Sequence, residues 1–163
     1  MQLATALLLL TGPIVVSDTD EALRTVGAHL ATIIDPAPGA VSVAVGDQGV
    51  KLQRGAAEAL ARSGHEAMPG HVVQPHVETG WRANTTFQWI NSPPPPGVPI
   101  VLFVPHLVTG AVVQSLLAGP LSDAEGPMTV AAIDADEIAL VELLIKHPDL
   151  EVITAVPRTG ALP

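Results

Sequence analysis

A continuous apolar run, VPIVLFV at residues 98–104, constrains the fold more than any other feature of the sequence. A strand with one solvent-facing side alternates apolar and polar residues, whereas this run contains no polar residue. Uninterrupted runs of this kind are typical of strands in parallel sheets that have helices on both faces. The run therefore favours a layered α/β architecture.

The segments around this run support the same architecture. Further strands are predicted at 12–16, 40–45, 71–78, 84–91, 128–133 and 150–156, and helices between 18 and 34 and at 49–62, 107–118 and 135–147. Strand–helix alternation at both ends predicts parallel βαβ units, with 71–78 and 84–91 as an antiparallel pair at one edge. We expect a three-layer sandwich with a mainly parallel sheet of six or seven strands. A two-layer ferredoxin-like α+β sheet is the alternative.

The length of 163 residues suits a single domain that spans 1–163. The segment SPPPPGVP at 92–99 can form only polyproline II or irregular structure, so we interpret it as a proline-rich connector inside that domain. The chain has no cysteine, which excludes disulfides and thiolate metal sites.

Charge and composition limit the partners. The net charge of -9, with seven Lys and Arg, argues against binding nucleic acid or an anionic membrane surface. The window 98–117 is long enough to span a bilayer, but Pro99, Pro105, His106 and Gln114 interrupt it, so we expect a soluble cytoplasmic protein. Only 14% of the residues are charged, which indicates that apolar surface is covered in a homo-oligomer.

Two similar strand-to-helix junctions, which we call corners, contain clustered carboxylates. Asp18, Asp20 and Glu21 follow one apolar run, and Asp134, Asp136 and Glu137 follow another, each directly before a helix. Asp18 with Glu21 and Asp134 with Glu137 have the spacing of helix caps, which explains these carboxylates without a ligand. If both corners lay at the carboxyl ends of neighbouring strands, Asp18, Asp20, Asp134 and Asp136 could instead hold Mg²⁺.

The first corner resembles the DxD strand end of haloacid-dehalogenase-type phosphatases, and the second resembles the DxD of Toprim domains, each over only a few residues. These resemblances imply a Mg²⁺-dependent enzyme of phosphoryl groups, a hydrolase or a phosphotransferase, with the four aspartates as its site. We keep this as the second hypothesis for function.

Histidines are concentrated in GHEAMPGHVVQPHVE at 64–78. His65, His71, His76 and Glu78 are candidate metal ligands, but residues five apart on a regular strand point to opposite faces, which separates His71 from His76. We therefore interpret them as ordinary strand and surface histidines, with a metal-binding or small-molecule-binding module as the third hypothesis. His106 is of separate interest because it directly follows the buried strand.

Two other segments each allow two structural interpretations. Trp81, Phe87 and Trp89 lie in a region with almost no charge, where they form either a partner interface or the aromatic part of the core. Gly46-Asp47-Gln48-Gly49 could be an anion-binding turn, although a tight turn without a ligand explains it as well.

The first hypothesis for function follows from the low charge and from the absence of a P-loop, Rossmann, GxSxG or HExxH motif. We expect a non-enzymatic α/β protein that acts through self-association, as a subunit of a homo-oligomer or a larger assembly. No cofactor is firmly implied, although Mg²⁺ is possible, and any small-molecule ligand is unknown.

Overall fold

The fold comes from a computed structural model that describes residues 19–78 and 84–156. The strands are β1 (Val41–Val45), β2 (Gly70–Glu78), β3 (Asn84–Trp89), β4 (Ile100–Phe103), β5 (His106–Leu107), β6 (Met128–Ala132), β7 (Asp134–Ala135) and β8 (Glu151–Thr154). The helices are α1 (Asp20–Ala31), α2 (Gly46–Arg62), α3 (Ala111–Ala118) and α4 (Glu137–Lys146). The strand predicted at 12–16 lies outside the described residues.

Six strands form one sheet in the order β3–β2–β1–β4–β6–β8, and β5 pairs with β7 in a separate two-stranded ladder. Every pairing in the large sheet is parallel except that of β3 with β2, at the edge. The predicted mainly parallel α/β sheet with an antiparallel edge pair is therefore confirmed. The ferredoxin-like alternative is wrong, because adjacent strands pair in parallel and helices pack on both faces of the sheet.

Two apolar clusters lie on opposite faces of the sheet. In β4, Ile100 and Leu102 face the cluster that contains α3 and α4, whereas Val101 and Phe103 face the cluster that contains α1 and α2. All four residues are buried, which is the arrangement that the uninterrupted apolar run predicted. The three layers follow from this alternation of side chains along a strand.

The contact between α1 and α2 is unusually close. A Cβ atom added to Gly27 would lie 2.1 Å from the Leu52 carbonyl oxygen, and one added to Gly55 would lie 1.9 Å from that of Arg24. The two helix backbones therefore meet directly, with no side chain from either glycine between them. Arg24 and Glu58 also form an ion pair across this contact.

The loops divide between the two edges of the sheet. The segments that precede the parallel strands form what we call the amino edge; they lie at 32–40, 63–69, 90–99, 119–127 and 147–150. The segments that follow β1, β4 and β6 form what we call the carboxyl edge; they lie at 46–49, 104–110 and 133–136. The proline-rich connector at 92–99 lies at the amino edge, where it joins β3 to β4 within the same sheet. That the whole chain is one domain stays a prediction.

Helix starts differ from the predicted ones at two places. The helix predicted from 107 begins at Ala111, because β5 occupies His106–Leu107 and Gly110 has a left-handed φ of 71° directly before the helix. The second acidic corner caps its helix through Asp136 and not Asp134, since β7 takes residues 134–135 first. Within the described ranges, no helix is both long and apolar enough to cross a membrane.

Candidate functional site at the carboxyl edge

The strand order creates a switch point between β1 and β4. The chain leaves β1 through α2 and returns to β2 on one side, whereas it leaves β4 through α3 and returns to β6 on the other side. Because the two connections diverge, the carboxyl ends of β1 and β4 form a topological switch point, and we call the space beside it the crevice. In open parallel sheets this crevice is where ligands bind.

The loop after β1 forms the first wall of the crevice. Gly46 has a φ of 68° and is the first residue of α2, a helix of 17 residues. Among the described residues, no side chain caps the start of this helix, so its first backbone N–H groups point out of the carboxyl edge without a side-chain acceptor. A Cβ atom on Gly49 would lie 2.9 Å from the Phe103 carbonyl oxygen, so this first turn lies directly against the end of β4.

The loop after β4 forms the second wall. Gly110 is the N-cap residue of α3, and the Thr109 hydroxyl accepts a hydrogen bond of 3.3 Å from the Ala111 backbone N–H. No side chain in the described ranges caps α3 at the usual cap position. Val108 is 68% exposed at the tip of this loop. Two helices whose N-cap residues make no side-chain hydrogen bond thus begin after neighbouring strands, although at α3 the Thr109 hydroxyl engages the first backbone N–H.

These two N-termini are the electropositive feature of the crevice. The aligned peptide dipoles and free N–H groups of a helix N-terminus attract anions, phosphates in particular. The three carboxyl-edge loops contain no Lys or Arg. These three loops therefore offer an anion backbone N–H groups and no basic side chain, and they also contain Asp47, Asp134 and Asp136.

The loop after β6 brings two predicted residues of interest together. His106 pairs with Asp134 in the β5–β7 ladder, and the His106 Nδ1 lies 2.8 Å from the Asp134 Oδ1. Asp136 instead accepts a hydrogen bond of 3.2 Å from the Ala139 N–H, as an N-cap of α4. Both corner aspartates of the second DxD are thus engaged within the protein.

The first DxD does not join the second. Asp18 lies outside the described residues, and Asp20 lies in the first turn of α1, where its Oδ1 is 2.6 Å from the Lys51 Nζ. The hydrogen bond from Lys51, and then the charge of Lys51, lower the pKa of Asp20. Over residues 19–78 and 84–156, no three His, Asp or Glu side chains form a group that could hold a metal ion.

The candidate histidine ligands are also apart. His71 is buried, and its Nδ1 donates to the Ser92 carbonyl oxygen at 2.6 Å, which ties β2 to the proline-rich connector. His65 lies exposed in the amino-edge loop before β2, and His76 lies exposed on β2. Glu78 ends that strand. These histidines are structural or surface residues in the described chain.

The aromatic residues divide in a similar way. Trp81 lies outside the described residues. Phe87 and Trp89 are partly buried and pack against the apolar cluster on the α3–α4 face. Both readings of these residues are compatible with that packing, so a partner interface at Trp81, Phe87 and Trp89 stays a prediction.

Sequence reasoning missed most of the crevice. The sequence allows either an anion-binding turn or a tight turn without a ligand at Gly46 to Gly49, and it predicts Thr109 and Gly110 inside a helix. The available signal was the position of both segments directly after buried strands, each with a glycine at its start or end. The pairing of His106 with Asp134 had no such signal, because the two residues are 28 positions apart.

Comparison with known proteins gives information at the level of the fold. No family model matches the chain, and no curated protein matches it. Several solved structures, however, match the chain in fold. Adenine phosphoribosyltransferase from Trypanosoma brucei, in complex with AMP, pyrophosphate and ribose-5-phosphate, has a TM-score of 0.64 at 11% identity, over 91% of this chain and 69% of that chain.

Two more structures have the same fold. The adenine enzyme from Giardia lamblia, complexed with 9-deazaadenine, has a TM-score of 0.59 at 12% identity, over 87% of this chain and 82% of that one. Orotate phosphoribosyltransferase from Aeropyrum pernix has a TM-score of 0.56 at 17% identity, over 84% of this chain and 72% of that one. At these identities the similarity defines the fold.

This finding overturns the function predicted from the sequence. A non-enzymatic assembly subunit was expected because no familiar catalytic motif is present, but the fold is that of phosphoribosyltransferases, which are enzymes. The two alternatives, a phosphoryl-group enzyme with paired DxD strand ends and a metal module at residues 65–78, do not match these neighbours either.

Proposed function

We propose that this chain is an enzyme that binds a 5-phosphoribosyl compound at its carboxyl edge and transfers the phosphoribosyl group between pyrophosphate and a nitrogenous base. The observation that carries the proposal is the β1–β4 switch point, beside which two helices begin with N-cap residues that make no side-chain hydrogen bond. Its support from outside the chain is a fold shared with adenine and orotate phosphoribosyltransferases.

The chemistry of the ligand fits the crevice. A phosphoribosyl pyrophosphate has anionic groups at both ends of a small sugar, and the crevice offers two electropositive N-termini on adjacent strands. The net charge of -9 would repel such a ligand over most of the surface. The N–H groups at the starts of α2 and α3 are the groups that would hold its phosphates.

Magnesium belongs to the same proposal. Mg²⁺ in phosphate-binding sites takes one or two carboxylates together with substrate oxygens, and seldom a cage made by the protein alone. The carboxyl edge offers single carboxylates of this kind, and Asp47, exposed in the first turn of α2, is the one beside the proposed phosphate position. When bound, the ion would neutralise pyrophosphate charge.

Binding is tested with two matched substitutions. Val108→Glu places a negative charge at the start of α3, and Ile90→Glu places the same charge at the amino edge, on a side chain that is also largely exposed, at 62%. We expect calorimetric titration with pyrophosphate and with AMP to show affinity reduced by at least about tenfold for Val108→Glu, since like charges oppose binding. Ile90→Glu should change it by less than about twofold, because a distant exposed charge is screened by salt.

Turnover is tested by incubating the protein with 5-phosphoribosyl pyrophosphate, Mg²⁺ and a panel of adenine, hypoxanthine and orotate. Mass spectrometry should detect the corresponding nucleoside monophosphate and released pyrophosphate. If no base gives a product, the proposed transfer is wrong, and if neither AMP nor pyrophosphate binds, the proposed ligand class is wrong as well.

Two expectations from the sequence remain separate proposals. Homo-oligomer formation is tested by light scattering across a concentration series, where a monomer at every concentration would contradict it. The cytoplasmic location is tested by cell fractionation.

A further inference from the structure

The pair formed by His106 and Asp134 has a fixed geometry. Around it, the Ile133 N–H donates to the Pro105 carbonyl oxygen at 2.8 Å, and the Asp136 N–H donates to that of Leu107 at 2.8 Å. These backbone bonds already join the loops after β4 and β6. The bond of 2.8 Å between the two side chains is therefore additional to the connection between the loops.

This geometry determines which nitrogen of His106 carries a proton. An ionised carboxylate can only accept a hydrogen bond, so the Nδ1 next to Asp134 carries a proton. The Nε2 then has a free lone pair in the neutral ring. Among the hydrogen bonds of the described residues, none involves this Nε2. The His106 side chain is 37% exposed and that of Asp134 is 35% exposed, so solvent or a ligand can reach the pair.

The pair is also placed beside the crevice. His106 follows β4 by three residues and precedes the N-cap of α3, Gly110, by four. It is the one histidine in the described ranges whose ring is bonded to a carboxylate, whereas His71 is bonded to a backbone carbonyl. A carboxylate that orients an imidazole, with the second nitrogen directed to a substrate, is a recurring arrangement for proton transfer.

We propose that the Nε2 of His106 accepts the proton released by the base during phosphoribosyl transfer, and that Asp134 is the positioning residue that holds the ring. This inference rests on the proposed function. A bond forms between a ring nitrogen of the base and the anomeric carbon of the ribose, and the bond from that carbon to the pyrophosphate oxygen breaks. Its electron pair leaves with the pyrophosphate. The proton of the base nitrogen passes to His106, which later releases it to water.

The test uses substitutions that keep the local hydrogen bond. In His106→Asn the side-chain amide can still donate to Asp134 but has no second nitrogen, so the loops stay joined while the proton acceptor is lost. Asp134→Asn keeps the shape and removes the charge. His65→Asn, at the exposed amino-edge loop, is the control. Circular dichroism and thermal melting verify that each variant is folded, and His106→Gln replaces His106→Asn if that variant is not.

Single-turnover rates and AMP binding are measured for all variants. We expect His106→Asn to reduce the rate by about 100-fold or more, the contribution typical of a general acid or base, while AMP affinity changes by less than about threefold. Asp134→Asn should reduce the rate and shift the proton from Nδ1, visible in the ¹⁵N resonances of His106. A loss of rate together with this tautomer shift, at unchanged AMP affinity and thermal stability, is the result that a positioning role predicts. His65→Asn should match the unaltered protein.

The outcomes separate the two proposals. If the unaltered protein turns over and His106→Asn turns over at the same rate, the role of His106 is overturned while phosphoribosyl transfer stands. A loss of AMP binding equal to the loss of rate would also overturn it, since His106 would then be a binding group. If the unaltered protein gives no turnover with any base, both the transfer and the proton-acceptor role are overturned.

Discussion

The two edges of the sheet are made from different residues. Prolines fill the amino-edge loops: Pro36, Pro38, Pro69, Pro93, Pro94, Pro95, Pro96, Pro99, Pro120, Pro127 and Pro148. The carboxyl-edge loops contain Pro105 alone, together with glycines at the starts of α2 and α3. Proline restricts the backbone and has no N–H to donate, whereas a helix start presents several free N–H groups.

This difference indicates that the two edges have different roles, the amino edge in stability and the carboxyl edge in ligand binding. The amino edge limits the freedom of the unfolded chain and offers few hydrogen-bond donors to a ligand. The carboxyl edge keeps its donors available and accepts backbone conformations that only glycine adopts readily. Stability and ligand binding should therefore respond independently to substitutions at the two edges.

The largest effect should come from the sheet that both edges share. Phe103 is fully buried at the end of β4, and Phe103→Ala should lower the free energy of unfolding by about 3–5 kcal/mol because it leaves a cavity. Urea denaturation measures the loss. Ile145→Ala, at a side chain that is 74% exposed, should stay within about 0.5 kcal/mol. Equal losses in the two variants would contradict the position of β4 at the centre of the core.

A smaller and more selective effect is expected from two glycines. Gly46 at the carboxyl edge and Gly97 at the amino edge have left-handed φ angles of 68° and 78°. Alanine at either position should cost about 1–2 kcal/mol of unfolding free energy, the strain of a side chain in that conformation. Only Gly46→Ala should also weaken pyrophosphate binding, because it changes the start of α2. If both variants weaken binding equally, the two edges do not have these different roles.

A smaller effect still is expected from the proline-rich connector. Pro95→Ala should lower the free energy of unfolding by about 0.4–1 kcal/mol, since it increases the freedom of the unfolded chain. Calorimetric affinity for AMP should be unchanged. A changed affinity for AMP with unchanged stability would contradict the role in stability that we assign to the amino edge.

The smallest effect concerns Asp20 and Lys51, an exposed pair on the α1–α2 layer. Because Lys51 lowers the pKa of Asp20, Lys51→Gln should return this pKa towards its ordinary value of about 3.9. A carboxyl with a lowered pKa contributes stability above that ordinary value and loses the contribution as the pH falls through the folded-state pKa. Carboxyl ¹³C titration measures the shift, and Arg62→Gln, which should leave Asp20 unchanged, is the control.

Parts of the fold could be predicted because they depend on local patterns. The apolar run at 98–104 predicted a strand buried on both faces, and β4 has that environment. The antiparallel pair β2–β3 followed from turn residues between two short strand patterns. Periodicity and turn chemistry act over a few residues, so they can be read directly from the sequence.

The site could not be predicted in the same way. Strands β5 and β7 have two residues each, which is too short for any periodicity to appear. The bond between His106 and Asp134 depends on that ladder, and so does the shift of the helix cap to Asp136. The crevice depends on the strand order, which is a long-range property. Local reasoning therefore identified several of its residues but not their arrangement.

The contact at Gly27 and Gly55 determines which part of the crevice can adjust. Since the backbones of α1 and α2 touch there, the two helices form a stiff unit that cannot slide without a steric clash. In the proposed function the start of α2 would then be a stationary wall, and adaptation to ligands of different size would fall to the loop after β4. In a saturation mutagenesis library, positions 27 and 55 should tolerate only glycine, even though they contact no ligand.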